Sequence, residues 1–174
     1  MPKSSRKQIG EDDKKFLKVL RKNSGDSIEN IAKKCGFSRQ KVWRIKKRLE
    51  KSKTVWGYHA VVDDEKLDRT RYMMLVKRSS QPVGDAINKI TKLTAGKKGE
   101  EIGIDVLSVG YMYGEYDVAI VFTADGIKNA KKFKEIMTIE LPNLMSKMEI
   151  LEYVFLLRDG GITNPEIEKM REFF

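Results

Sequence analysis

The sequence predicts an α+β protein with two unlike halves, and three observations support this. Residues 1–60 hold 18 Lys and Arg against 6 Asp and Glu, whereas residues 61–174 hold 17 against 19. Two short helical segments joined by a glycine turn, between Ile28 and Lys47, have the spacing of a helix-turn-helix. Across residues 72–158 the order strand, helix, strand, strand, helix, strand predicts a ferredoxin-like βαββαβ domain.

The charge separation indicates which half binds a polyanion. The whole surplus of +10 lies in the N-terminal region, because residues 61–174 are slightly acidic. Basic side chains that neutralise phosphates release counterions, so charge concentrated on one part of a chain is typical of a nucleic-acid-binding surface. We therefore expect double-stranded DNA as a partner of this half.

Capping residues mark the ends of the predicted helices. A first helix is expected from Asp12 or Asp13 to Lys22. Ser27 is suited to cap the second helix, and Ser38 the third, because a serine oxygen can accept from an unpaired N–H of the first turn. Gly36 lies where the turn needs a positive φ. The third helix is predicted from Arg39 to about Lys51.

The third helix is predicted to enter a DNA groove. Its apolar stripe, Val42, Ile45 and Leu49, leaves a Gln, Arg and Lys face outward. We expect Gln40 and Arg44 to contact base edges, and Lys47 to contact bases or phosphates. Trp43 has two interpretations: it touches DNA, or it packs against the preceding helix. The predicted DNA-binding residues are Ser38, Arg39, Gln40, Lys41, Trp43, Arg44, Lys46, Lys47, Arg48 and Lys51.

Five segments are predicted along the chain. The β-branched and aromatic stretch Thr54–Val62 predicts a wing-like strand that leaves the helices. The C-terminal residues Ile167, Met170 and Phe174 form an apolar stripe, which packs either on its own domain or on a neighbouring subunit. The segments are a basic disordered arm (1–10), a helix-turn-helix domain with exit strand (11–62), a linker (63–71), the ferredoxin-like domain (72–158) and a helical tail (159–174).

The second half is expected to associate with itself. Its helices are predicted at 83–93 and from 126 or 127 to 140, and both would cover one face of the sheet. The other face needs a cover, and a second copy of the chain is the simplest one, which predicts a homodimer. Residues 94–105 make an unusually long connection, within which Gly96–Gly99 is expected to be a mobile loop. The last strand is predicted at 148–157.

Several function classes are disfavoured by the sequence. The sequence contains no run of about 18 apolar residues, so no membrane span is predicted. No apolar segment follows the basic N-terminus, so no signal peptide is predicted. A single cysteine, Cys35, fits a reducing, cytoplasmic compartment. One histidine, His59, on the predicted exit strand, gives no catalytic or metal-binding set, and no nucleotide-binding motif is present. We therefore expect no enzyme activity, no metal and no cofactor.

At this point the sequence resembles the Lrp/AsnC, or feast/famine, family of prokaryotic transcription regulators. The similarity spans about residues 11–158. The resemblance implies a winged or plain helix-turn-helix, a ligand-sensing (RAM-type) βαββαβ domain, dimers or larger assemblies, and amino-acid effectors in many members. The residues that carry it are Asp13, Ile31–Ser38, Val42–Glu50, Gly57–Tyr58, Ala60–Asp63, Lys66–Leu67 and Gly114–Asp117.

The tetrapeptide of Gly114, Glu115, Tyr116 and Asp117 has two interpretations. As plain structure, the glycine starts a tight type II′ hairpin turn, the tyrosine packs and the aspartate accepts from a backbone amide. The resemblance instead implies an effector-binding turn at a subunit contact, where Asp117 accepts from an α-amino group. Both remain open from the sequence.

The predicted function is a sequence-specific DNA-binding transcriptional regulator modulated by a small amino acid. An alternative is an architectural protein that coats DNA with low specificity, which the excess of lysine favours. A third candidate, related to haem-pathway decarboxylases of the same two-domain plan, is disfavoured by the single histidine.

Overall fold

A computed structural model of the chain describes residues 10–174, so the predicted arm lies outside the described residues except for Gly10. The chain divides into two compact units. The first contains the residues up to Val62 together with Leu156–Phe174, and the second is Asp63–Phe155. In the described part, no helix is both long and apolar enough to cross a membrane.

The first unit contains the predicted helix-turn-helix. Its helices are α1 (Glu11–Leu20), α2 (Ile28–Cys35) and α3 (Arg39–Lys51). The apolar residues of each helix recur with the 3.6-residue period and so lie on one face. These faces meet in a small apolar core. That core consists of Phe16, Leu20, Ile31, Ala32, Cys35, Val42, Ile45 and Leu49.

The predicted caps of the helix-turn-helix are confirmed. The Ser27 hydroxyl oxygen accepts from the amide of Asn30 at 3.1 Å, and that of Ser38 accepts from the amide of Lys41 at 3.2 Å. Gly36 ends α2 with φ +64°, the left-handed conformation that a helix C-terminus often needs. Beyond α3 the same role falls to Lys53, which adopts φ +55° because no glycine is available there.

The predicted exit strand does not form. Residues 54–62 have no strand assignment, and the Trp56 side chain is 94% exposed. β-branched and aromatic residues favour an extended backbone, but a strand also needs a partner for its N–H and C=O groups. No described segment of the chain pairs with these residues. The helix-turn-helix is therefore plain rather than winged in the single chain.

The second unit is an antiparallel sheet with helices on one face. Its strands are β1 (Thr70–Arg78), β2 (Asp105–Tyr111), β3 (Val118–Ala124) and β4 (Met145–Glu152), in the spatial order β2-β3-β1-β4. This is the order of a ferredoxin-like βαββαβ domain, so the predicted fold is confirmed. A short 3-10 helix, Glu65–Leu67, precedes β1. The helices are α4 (Ala86–Thr91), α5 (Thr94–Glu100) and α6 (Ile127–Glu140).

The core of the second unit lies between the sheet and α6. Tyr72 is opposite Phe122 in the β1–β3 register, and both side chains are buried. The Phe122 ring packs edge-on against Phe133 of α6, with centroids 5.1 Å apart. The alternation of buried and half-buried residues along β1 places Met74 and Val76 on this same face.

Residues 94–100 are a helix rather than the predicted mobile loop. Ala95 and Gly99 of α5 are buried. A β-carbon on Gly99 would lie 3.0 Å from two ring carbons of Phe133, so the glycine permits close packing of α5 on α6. Two glycines so close together favour flexibility, but Gly99 leaves room for the Phe133 ring and Gly96 lies beside Val106.

Two boundaries in the second half also differ from the prediction. The connection between β2 and β3 is a six-residue loop, 112–117, and not a two-residue type II′ turn. The last strand ends at Glu152 rather than residue 157. The tail is not purely helical, because β5 (Arg158–Asp159) and β6 (Ile162–Thr163) form a small hairpin before the 3-10 helix Ile167–Phe173.

Candidate nucleic-acid interface

Helix α3 presents its polar face to solvent because its apolar stripe is buried. Val42, Ile45 and Leu49 are each at most 3% exposed. The opposite face, together with Ile28 at the start of α2, lines a shallow open groove. The α3 residues in this groove are Arg39, Gln40, Trp43 and Arg44, which include both predicted base-reading residues.

Trp43 is available for an external contact. Its side chain is 56% exposed, although the opposite face of α3 packs in the core. Such exposure is unusual for the largest of the apolar side chains. Because Trp43 lies beside Ile28 of α2 in the groove, both interpretations left open by the sequence, a DNA contact and packing against a neighbouring helix, stay predictions. Sequence reasoning missed Ile28, whose apolar side chain lines the groove beside Trp43.

Four of the predicted phosphate-binding residues have partners inside the unit. Arg48 forms an ion pair with the buried carboxylate of Asp13. The Lys41 Nζ lies 2.7 Å from Asp12 Oδ2 and 4.1 Å from the centroid of the Phe37 ring. The Lys47 Nζ is 3.6 Å from Glu50 Oε2, and the Lys46 Nζ is 4.8 Å from the centroid of the Tyr58 ring.

The remaining basic residues of α3 carry unpaired charge. Among the residues that the structure describes, no carboxylate lies within ion-pair distance of Arg39, Arg44 or Lys51. Cations without a local anion gain most from an external phosphate or guanine, since no existing interaction is lost. The structure thus separates the α3 cations into an unpaired set and a set that also holds the unit together.

Tyr58 attaches the exit segment, residues 54–62, to α3. Its hydroxyl donates to Glu50 Oε1 at 3.0 Å. Desolvation, followed by the hydrogen bond and charge of Glu50, raises the pKa of Tyr58 to about 12. The phenol therefore stays protonated at neutral pH, and its hydrogen bond occupies the only acidic side chain of α3.

The predicted effector turn is occupied by internal contacts. Asp117 Oδ2 accepts from the amide of Arg78 at 2.8 Å, and the Asp117 amide donates to Val76 O at 2.9 Å. The Tyr116 hydroxyl donates to Glu149, and the Lys147 ammonium lies 3.1 Å from the same hydroxyl oxygen. Of the structural interpretation, the amide-binding aspartate is observed and the type II′ turn is not. The effector interpretation stays a prediction.

Charges near the turn are mutually stabilised. The hydrogen bond to Glu149, more than that to Tyr116, raises the pKa of Lys147. The same hydrogen bond from Lys147 holds the pKa of Glu149 below its ordinary value. Both groups are therefore charged at neutral pH. Gly114 and Glu115 are exposed beside them.

The sheet face opposite the helices has no cover within the unit. Met73 and Leu75 of β1 point away from the helices and are half-buried, and Leu151 of β4, which is opposite Met73, is 49% exposed. A bulge between Val106 and Ser108 changes the alternation of β2, and Val106 packs against the core.

Comparisons with known proteins agree with this architecture. No family model matches the chain. An uncharacterized HTH-type transcriptional regulator of Pyrococcus furiosus, PF0054, is 21% identical over 156 residues, which are 89% of this chain and 97% of that protein. The regulator YugG of Bacillus subtilis is 25% identical over 128 residues, which are 72% and 74% of the two chains.

Solved structures share the same fold. An AsnC family transcriptional regulator from Agrobacterium tumefaciens has a TM-score of 0.63 at 16% identity, covering 86% of this chain and 93% of that one. The regulator NMB0573 of Neisseria meningitidis, in complex with L-methionine, has a TM-score of 0.65 at 17% identity, with 87% and 94% covered. These neighbours confirm the fold that the resemblance implied.

Proposed function

We propose that this chain is a DNA-binding transcriptional regulator of the Lrp/AsnC type that reads DNA with α3. The curated relatives are transcriptional regulators, as predicted. The observation that carries the proposal for this chain is the exposed groove formed by Arg39, Gln40, Trp43 and Arg44 on a helix whose other face is buried. No catalytic role is proposed, and we expect the protein to act in the cytoplasm, where prokaryotic DNA lies.

Each residue of the groove has a role that follows from its chemistry. Gln40 suits adenine, and Arg44 suits guanine, because each can form two parallel hydrogen bonds with that base in the major groove. Trp43, half-exposed beside Ile28, suits the methyl group of a thymine. Arg39 and Lys51 would bind phosphates, since their charges have no internal partner among the described residues.

The predicted phosphate contacts of Lys41, Lys46, Lys47 and Arg48 are expected to be weaker. Each of these side chains would exchange an internal partner for a phosphate, so the net gain is smaller than for an unpaired cation. Ser38 precedes α3, and its hydroxyl already accepts from Lys41 N. We expect the amides at the start of α3, rather than this hydroxyl oxygen, to meet a phosphate there.

We further propose that the protein acts as a dimer through the open sheet face. Met73, Leu75 and Leu151 would leave apolar surface in water if the chain stayed monomeric. A two-fold axis would pair the same surface on both subunits and present two copies of α3. The DNA site would then be two half-sites, separated by one or two turns of the duplex.

A small amino acid is the proposed effector. The structural neighbour NMB0573 and the feast or famine regulatory protein Rv3291c of M. tuberculosis were both crystallised with methionine. In this chain Tyr116 and Asp117 support the turn, so the exposed Gly114 and Glu115 are better placed to meet a ligand at a subunit contact. Such a ligand changes DNA affinity only if it binds two assembly states unequally.

The proposal is tested by selecting bound duplexes from a random DNA pool with the full chain. A regulator enriches a pair of related half-sites at fixed separation. The competing low-specificity coater enriches no motif, because phosphate contacts carry no sequence information. The effector part is tested separately by thermal shift with each of the twenty amino acids at millimolar concentration. Loss of a shift in Glu115→Ala, with the Asp117 amide contact left intact, would place the ligand at the turn.

A further inference from the structure

The second unit contains an open cleft beside α4. Its lining comes from the loop between β1 and α4, from the loop between α6 and β4, and from the side chains of Lys89 and Glu140. With a volume of about 770 Å³, the cleft is in the size range of small-molecule sites. All of its lining residues belong to the sheet unit, so the fold of that unit alone defines the cleft.

Two charged side chains of the lining are paired with each other. Glu140 is only 6% exposed, and Lys89 Nζ lies 3.2 Å from Glu140 Oε2 and donates to the Glu140 carbonyl oxygen at 3.1 Å. Lys98, which is not part of the lining, donates to the same carboxylate. Two ammonium groups thus share one carboxylate, which leaves a surplus of one positive charge. The Lys89 side chain is half-exposed and keeps an N–H for an external acceptor, because an ammonium has three.

Asp85 adds a carboxylate without an internal partner to the cleft. It directly precedes α4, with φ −67° and ψ −13°, and Lys89 follows one helical turn later. An acid and a base at this spacing are neighbours that can pair. Here Lys89 instead contacts Glu140, and no cation in the described part of the chain pairs with the exposed Asp85. The cleft therefore presents a free carboxylate and a free ammonium N–H one helical turn apart.

Apolar side chains line much of the remaining cleft. Pro82 and Val83 come from the first loop, and Pro142, Leu144 and Met145 come from the second. Leu144 is buried and Val83 is half-buried. The ring of a proline fixes its backbone φ, so the two prolines give the cleft a preformed surface that loses little entropy on binding. A ligand fits this lining if it combines an ammonium, a carboxylate and an apolar body.

We propose that this cleft binds a free amino acid with an apolar side chain, with Asp85 accepting from the α-ammonium and Lys89 donating to the α-carboxylate. A simple amine would meet the surplus positive charge of Lys89 and Lys98, and a simple carboxylate would leave Asp85 unpaired. A charged side chain would lose its hydration on the apolar lining. The loop 112–117 contributes nothing to this lining, so the cleft is a separate site. Its use as the effector site of a regulator rests on the proposed function.

Binding is measured by isothermal titration calorimetry on the full chain without DNA. The probes are L-leucine and two analogues of it, isocaproate, which lacks the ammonium, and isoamylamine, which lacks the carboxylate. L-Leucine is expected to bind at millimolar concentration or below. Each analogue should bind about tenfold or more weakly, because it loses one charge-assisted hydrogen bond. Equal affinity for leucine and either analogue, or no binding of leucine, valine, methionine or phenylalanine at millimolar concentration, would overturn the proposal.

One variant tests the assigned contact of the ammonium. Asp85→Asn changes an exposed side chain without an internal partner, so the fold should be kept. It should weaken leucine binding by about tenfold or more and leave isocaproate binding unchanged, because isocaproate has no ammonium. Asp105→Asn, which changes an exposed carboxylate outside the lining, is the matched control and should leave both affinities unchanged. An equal loss for leucine and isocaproate in Asp85→Asn would contradict the contact with Asp85.

A second comparison separates the cleft from the turn and from the proposed function. If Glu115→Ala abolishes leucine binding while Asp85→Asn leaves it unchanged, the ligand binds at the loop 112–117 and the cleft proposal is overturned. If leucine changes the affinity of the full chain for its selected duplex, but not that of Asp85→Asn, the cleft is the effector site. If the chain selects no DNA sequence, the proposed function fails, while calorimetry still decides whether the cleft binds leucine.

Discussion

The two units use polar side chains in opposite ways. On α3 the predicted base-reading residues, Gln40 and Arg44, line an open groove, and no carboxylate among the described residues is paired with Arg44. In the loop before β3, the predicted effector residues Tyr116 and Asp117 are already bonded to Glu149 and to the amide of Arg78. An external ligand gains most where polar groups lack internal partners, so the comparison favours the first site as a preformed one.

The largest expected effect is a loss of stability that tests whether the two units unfold independently. Phe122 is fully buried in the core of the sheet unit, and the helical unit has a core of its own. Phe122→Ala should therefore destabilise the sheet unit by about 3–5 kcal/mol through lost burial and a cavity. Differential scanning calorimetry should show one transition moved to lower temperature. Equal lowering of a transition assigned to the helices would mean that the cores are not independent.

The next effect sharpens the distinction within α3. Arg44→Ala should cost about 1–3 kcal/mol on the selected site and relax the preference at one base pair. Lys51→Ala is the matched control, because it should weaken binding to all duplexes about equally and reduce the salt slope by about one. Titration of fluorescent duplexes at several salt concentrations measures both. If Arg44→Ala leaves the ranking of sites unchanged, Arg44 binds a phosphate instead of a base.

A smaller effect concerns a residue of α3 that has an internal partner. Asp13 is buried and holds Arg48, so Asp13→Asn should lower the stability of the helical unit by about 1 kcal/mol. Because a negative charge beside the DNA surface is removed, affinity for DNA should stay equal or rise. Chemical denaturation gives the first quantity and duplex titration the second. Loss of specific DNA binding without loss of stability would instead place Asp13 in the recognition site.

An acid-dependent effect is expected in the sheet unit. Hydrogen bonds from Lys98, and then from Lys89, hold the pKa of Glu140 below its ordinary value of 4.5. A carboxylate with a lowered pKa in the folded state stabilises the fold above its unfolded pKa, and that contribution disappears as pH falls through the lowered value. The stability of Glu140→Gln should therefore depend less on pH below about 4.5. Melting curves from pH 3 to 7 measure this, and parallel curves for both proteins would contradict it.

The smallest effect concerns the end of α3. Lys53 adopts φ +55°, where a residue with a β-carbon is strained. Lys53→Gly should raise stability by about 0.5 kcal/mol, since relief of that strain exceeds the added flexibility of the unfolded chain. The same substitution at Trp56, whose φ is not positive, offers no such relief and serves as a control. A destabilised Lys53→Gly variant would show that the lysine side chain itself has a structural role.

The helical unit was largely predictable from sequence because its determinants are local. Ser27, Gly36 and Ser38 specify helix ends within three or four residues, and the spacing of Val42, Ile45 and Leu49 specifies which face is buried. The pairing of Asp13 with Arg48 was not predictable, because it joins residues 35 positions apart whose side chains meet only once the helices have packed.

The wrong predictions for residues 54–62, for Gly99 and for the tail have the opposite origin. The sequence predicts Gly99 in a mobile loop because glycine lowers helix propensity, but close packing against Phe133 outweighs that propensity. The exit strand was predicted from the β-propensity of residues 54–62, whereas a strand depends on a distant partner that local sequence does not identify. The placement of the tail with the helical unit had no local signal beyond the two adjacent glycines at 160 and 161.

Whether α3 recognises DNA sequence, and not only phosphate charge, is tested most directly by one ratio of affinities. The affinity of the full chain for its selected duplex is compared with that for a scrambled duplex of equal length at the same salt concentration. A sequence-reading α3 predicts a ratio of about 10³ or more. A ratio near one, with strong salt dependence on both duplexes, would contradict it and identify the protein as a low-specificity DNA coater.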